Sequence, residues 1–192
     1  MKQDPADPVP EQGHSSADLL TELIRRHSKE GRLISGDHLE SELAGVESRG
    51  DDDLLFDDAL NKAMQENPDL RVVYDANRHA LYHSIESLSH TYAGILALKA
   101  TPALMMADTI RDNSARYPRP VPLDLFEQAP FDLSPEIIQA SLQEMAGENQ
   151  YRDIAATTSS EGRVYLYSSD FLSHDHATHL AEWEDVGYLC DP

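Results

Sequence analysis

The sequence predicts an α+β protein, mostly helical, made of two tandem copies of one small unit. Three observations carry this. The chain repeats itself: Arg78, Leu81, Tyr82 and Ser84 recur 85 positions later as Arg163, Leu166, Tyr167 and Ser169, and Leu88-Ser89-His90 recurs 84 positions later as Leu172-Ser173-His174. Apolar residues fall at helical spacing over most of the chain, broken in each half by two short strand-like runs around a turn. A length of 192 residues with 40% hydrophobic content suits two domains of roughly 85 residues, each large enough to close a core.

Residues 1–15 carry Pro5, Pro8, Pro10 and Gly13 among charges and read as a disordered tail. The first domain is expected over 16–100. Ser15 with Asp18 three residues on starts a helix whose apolar face is Leu19, Leu20, Leu23, Ile24 and His27, and Gly31 ends it. Arg32-Leu33-Ile34 is a short extended link. Asp37 and Glu40 form the capping box of a second helix, with Leu39 and Leu43 inward. After a polar loop, a third helix runs from about Asp53 to Glu66 on Leu55, Phe56, Ala59, Leu60, Ala63 and Met64. Leu70–Tyr74 and Ala80–Ser84 are the strands of a hairpin, and a linking helix spans about Ser89 to Lys99.

The second domain, 101–192, repeats this order. Thr101-Pro102 supplies an N-cap with proline at the first helical position, and Ile110-Arg111 matches Ile24-Arg25. Arg119-Pro120-Val121 matches Arg32-Leu33-Ile34, and Asp124 with Glu127 repeats the capping box. Ser134-Pro135 starts the third helix. A second hairpin is predicted from Tyr151–Thr157 and Arg163–Tyr167, followed by a C-terminal helix. The offset between copies drifts between 82 and 87, with the changes falling in loops, where insertions are tolerated.

This order, helix, short extended piece, helix, helix, strand, turn, strand, helix, resembles the winged-helix superfamily in a tandem arrangement over most of residues 16–185. The resemblance implies that each third helix and hairpin could contact DNA. Charge opposes that. The formal net charge is −20, from 35 acidic and 15 basic residues. The span Asp52–Glu66 holds five acids and only Lys62 as a base, and Ser134–Glu148 holds three acids and no base. Phosphate neutralisation by Lys and Arg supplies most non-specific DNA affinity, so acidic recognition helices work against it. The residues that would contact DNA in the alternative reading are Arg25 and Arg26 on the first helix, and Arg71, Arg78, Arg152 and Arg163 around the hairpins.

Chemistry-bearing motifs are sparse. His174, His176 and His179 form the densest histidine cluster, and on a helix His176, His179 and Glu182 would share a face able to hold a divalent ion. The simpler reading is a polar face with Leu180 and Trp183 buried, and no metal or cofactor is assigned. A single cysteine, Cys190, fits a reducing compartment, and no signal peptide or membrane-length apolar run is present, so a cytoplasmic protein is expected. The expected function is non-enzymatic: an adaptor binding a protein partner, basic in surface, or binding itself as a homodimer through Tyr92, Ile95, Leu96 and Leu98. A DNA-binding transcriptional regulator and an acidic DNA mimic are the alternatives.

Overall fold

A computed structural model describes residues 15–45 and 55–186. The expected tail, the loop acids Asp52 and Asp53, and Cys190 lie outside the described residues. The chain divides into two compact units at Ala93/Gly94. Each combines helices with a small antiparallel sheet.

The first unit opens with α1 (Ser16–Lys29). The Ser15 hydroxyl accepts from the Asp18 amide at 3.3 Å, and the Asp18 carboxylate accepts from the Ser15 amide at 3.2 Å, completing the capping box. Gly31, at φ +73°, turns the chain out of the helix. Two residues form β1 (Ile34–Ser35), followed by α2 (Gly36–Gly45). Here Ser35 does the capping: its hydroxyl accepts from the His38 amide at 3.3 Å. The expected Asp37/Glu40 box is displaced because the helix begins two residues earlier than a cap at Asp37 would place it, which puts Asp37 in its first turn. α3 (Phe56–Glu66) leads into the hairpin β2 (Leu70–Tyr74) and β3 (Ala80–Ser84). β3 is central, pairing with β2 on one side and β1 on the other. Leu20, Ile24, Leu39, Ala59 and Leu70 meet in the core. Fully burying a leucine or isoleucine contributes about 1.5–3 kcal/mol, so this cluster dominates the unit's stability.

α4 (His90–Leu98) runs across the division between the units. Its Ile95 and Leu98 pack on the core of the second unit. Two of the four residues that suggested self-association are therefore partly covered within the chain.

The second unit continues with α5 (Pro102–Arg116) and β4 (Val121–Pro122). Pro102 opens α5 as predicted, but the Thr101 side chain makes no capping bond. The expected second helix is replaced by a 3-10 turn, Leu123–Glu127, so this unit has fewer full helices than predicted. Pro130 lies just beyond and disfavours helical backbone at the preceding residue, while Phe126 and Phe131 stack edge-on at 5.0 Å and pin the turn into the core. α6 (Pro135–Gly147) is capped by Ser134. The strands β5 (Ile154–Thr158) and β6 (Val164–Ser168) follow, with sheet order β4-β6-β5, and α7 (His174–Val186) comes last.

The registers correct the repeat. Leu70 pairs with Ser84 as Ile154 pairs with Ser168, and Ile34 with Tyr82 as Val121 with Leu166. The hairpins therefore superpose at an offset of 84, where identity matching gave 85. One residue of slip in a strand exchanges its two faces. The structural twin of Arg78 is Gly162, both at positive φ (65° and 87°), and Arg163 is the twin of His79. The repeated arginine at the start of the last strand is a coincidence of spelling.

Candidate functional site

The most developed polar constellation occurs once in each unit. In the first, the Arg25 guanidinium on α1 donates to both oxygens of Asp69, at 3.0 and 2.6 Å, and also to Asn67 Oδ1 at 3.1 Å. Ser84 Oγ donates to Asp69 Oδ2 at 2.7 Å, and the Ser84 amide donates to Ser28 Oγ at 2.8 Å. In the second, Arg111 donates to both oxygens of Asp153, at 2.9 and 2.6 Å. Ser168 Oγ donates to Asp153 at 2.9 Å, and the Ser168 amide donates to Ser114 Oγ at 3.0 Å. Each bracket ties the first helix of its unit to the end of the central strand. The bidentate arginine, then the serine, hold both Asp69 and Asp153 down at about 2. A carboxylate so low and so fully bonded has no proton to move at neutral pH, so the bracket is architecture.

That assigns Arg25, the first of the residues proposed for DNA. Arg26 pairs with Glu42. Arg71 turns back on the carbonyls of Pro68 and Leu70. Arg163 grips both oxygens of Asp124 at 2.9 Å, faces Asp185 at 3.6 Å, and lies over the Tyr165 ring. Asp124, expected as a helix cap, serves as its partner. Arg78 occupies the first hairpin's turn, and Arg152 caps a 3-10 turn; both are exposed, and neither makes an ion pair among the described residues. An open groove of about 560 Å³ along α1 is lined by Arg25, Arg26 and Lys29, and equally by Asp18, Glu22 and Glu30.

The second hairpin is fastened from outside. The Ser160 amide and hydroxyl donate to Glu182 of α7 at 2.7 and 2.8 Å, Ser159 Oγ donates to Asp185, and the Thr157 and Thr178 hydroxyls meet at 2.7 Å. Glu182 is thereby withdrawn from the imagined ion site with His176 and His179, which stay exposed on α7. Trp183, expected inside, is 70% exposed. His174 takes a different role, its Nδ1 lying 3.0 Å from the Tyr167 hydroxyl. The twin contact is His83 Nε2 to His90 Nδ1 at 3.2 Å, with His83 fully buried and its Nδ1 on the Leu88 carbonyl. Burial lowers the His83 pKa, which keeps the ring neutral.

Another histidine cluster escaped the sequence reading. His27 on α1 and His38 on α2 both direct Nε2 at Glu42 Oε1, at 3.0 and 3.2 Å, while Arg26 holds Glu42 Oε2. The His38/Glu42 spacing of four was visible; that α1 would deliver His27 to the same oxygen was not.

The acidic third helices keep their charge in the open. On α3, Asp57, Asp58, Asn61, Gln65 and Glu66 are exposed, and on α6 Glu136, Ile137, Gln139, Gln143 and Glu144.

The fold and these sites describe a duplicated α+β scaffold with internal ion-pair brackets and acidic outer helices. A profile of the family described as YdhW C-terminal domain matches residues 100–189, within the second unit. The chain is also similar to a protein of Escherichia coli (strain K12) described as "Uncharacterized protein YdhW", 27% identical over 98% of this chain and 86% of that protein. No solved structure matches it. Among the described residues, no helix is long and apolar enough to cross a membrane.

Proposed function

We propose that each unit is a winged-helix-like domain and that the protein acts as a non-catalytic adaptor for a protein partner with a basic surface. The order helix, strand, helix or turn, helix, strand, strand, with the first strand against the last, supports the fold reading. α3 and α6 then stand where a recognition helix would, and the two hairpins are the wings.

One observation carries the function. The two helices placed to read a groove present carboxylates, while Arg25, Arg26 and Arg163 are neutralised by the chain's own Asp69, Glu42 and Asp124. A DNA-binding surface needs free cations on the face that meets phosphate. An acidic face attracts a basic protein surface and speeds its encounter.

The test joins two measurements. Gel-shift titration with duplex DNA at low salt is expected to show no complex. In-cell crosslinking is expected to join α3 or α6 to a partner, whose affinity for the purified chain falls tenfold or more in the Asp57→Lys/Asp58→Lys or Glu136→Lys/Glu144→Lys variants. Tight, salt-dependent DNA binding overturns the proposal.

A further inference from the structure

We propose that His27, His38 and Glu42 form a binding site for one divalent late first-row transition ion, best suited to zinc, in the first unit alone. This stands independently of the adaptor reading.

The first argument is convergence. The three donor atoms come from two helices and lie within 4.8 Å of one another. Zinc bound to nitrogen and oxygen at about 2.0–2.1 Å in tetrahedral geometry separates its ligands by roughly 3.3 Å. The distances from Glu42 Oε1 to the two imidazole nitrogens, 3.0 and 3.2 Å, are already near that edge. Small side-chain shifts would open the space for an ion between them.

The second argument is orientation. Glu42 binds with one oxygen because Arg26 occupies the other, the kind of outer partner that fixes a ligating carboxylate. His27 is buried at 7% exposure, so its ring is held by packing before any ion arrives. The His38 side chain is 61% exposed and leaves a route in from solvent. Two imidazoles and a carboxylate favour zinc and its neighbours over magnesium or calcium, which prefer all-oxygen shells. A fourth position would remain for water.

The third argument comes from the duplication. At the matching offsets the second unit carries Asn113, Leu125 and Ala129, none of them fit to replace the trio. The cluster is therefore no requirement of the scaffold. Filling the site would clamp α1 to α2.

The test uses the full chain without a polyhistidine tag, stripped with chelator, and titrated with Zn²⁺ by calorimetry and with Co²⁺ by visible absorption. One Zn²⁺ per chain at micromolar affinity or tighter is expected. Co²⁺ should give the intense visible bands of a four-coordinate site. His27→Gln, His38→Gln and Glu42→Gln should each weaken binding tenfold or more, while His176→Gln/His179→Gln leaves it unchanged. If His27→Gln disturbs folding by circular dichroism, the exposed His38→Gln decides. Absence of stoichiometric binding overturns the proposal. So does binding that survives the first three substitutions and is lost with the α7 pair.

Discussion

Replacing Asp153 by asparagine isolates the charge in the second bracket, because the amide keeps the shape and one acceptor oxygen. Asp153 is lowered from the usual 3.8 to about 2, chiefly by the bidentate Arg111 and then by Ser168. A carboxylate in that state contributes about 2 kcal/mol at neutral pH relative to the unfolded chain. Asp153 is 7% exposed and its arginine partner 29% exposed, so water compensates little on the acid's side. Asp153→Asn should therefore cost about 2 kcal/mol at pH 7, measured by urea unfolding with circular dichroism. Hydrogen exchange at β6 would assign the loss to the second unit. The sign with pH follows from the direction of the shift. The folded pKa is depressed, so the stabilisation is complete above the unfolded value of about 4 and disappears as the pH falls toward 2. The gap between wild type and variant should close over that window. A variant within about 0.5 kcal/mol of wild type at pH 7, or a gap equally wide at pH 3 and pH 7, refutes the account of the bracket as a buried, charge-bearing tie.

Asp69→Asn should reproduce this behaviour in the first unit, with the loss read by exchange at β3, since Asp69 is likewise held at about 2. Ser168→Ala removes one donor to Asp153 and should cost about 1 kcal/mol in the urea midpoint. Gly162→Ala forces a side chain into φ +87° and should cost about 1–2 kcal/mol, whereas Arg78→Gly, at φ +65°, should be neutral or stabilising in thermal unfolding. Opposite signs at these two positions would confirm that they are twins. Arg163→Glu sets a third carboxylate against Asp124 and Asp185; because these groups are partly exposed, thermal unfolding should show a loss of about 1 kcal/mol or less.

The duplication was legible in the letters, and so was most of the element order. Ser15/Asp18 and Ser134/Pro135 marked true helix starts, Gly31 a true stop, and both hairpins fell close to where β-rich runs flanked a turn. These signals are local: a cap, a break or a periodicity acts within a few residues. Errors arose where one residue of shift mattered. Matching Arg78 to Arg163 followed identity, but pairing across the sheet set the offset at 84 and gave Arg78 the role of a glycine. The second helix of the second unit failed because Pro130 and the buried Phe126 overrode a plausible cap.

The sequence by itself determined a twofold α+β chain with acidic third helices, because periodicity, capping and charge are properties of neighbouring residues. Only the tertiary structure decided which of the arginines are neutralised, and by which acids. It alone brought Arg25 to Asp69 across 44 residues and Arg111 to Asp153 across 42. It also dismantled the α7 histidine site by giving Glu182 to Ser160, and assembled His27, His38 and Glu42 from two helices. Ion pairs and ligand sets depend on distances of a few ångströms between groups far apart in sequence, and such distances exist only once helices and strands have packed.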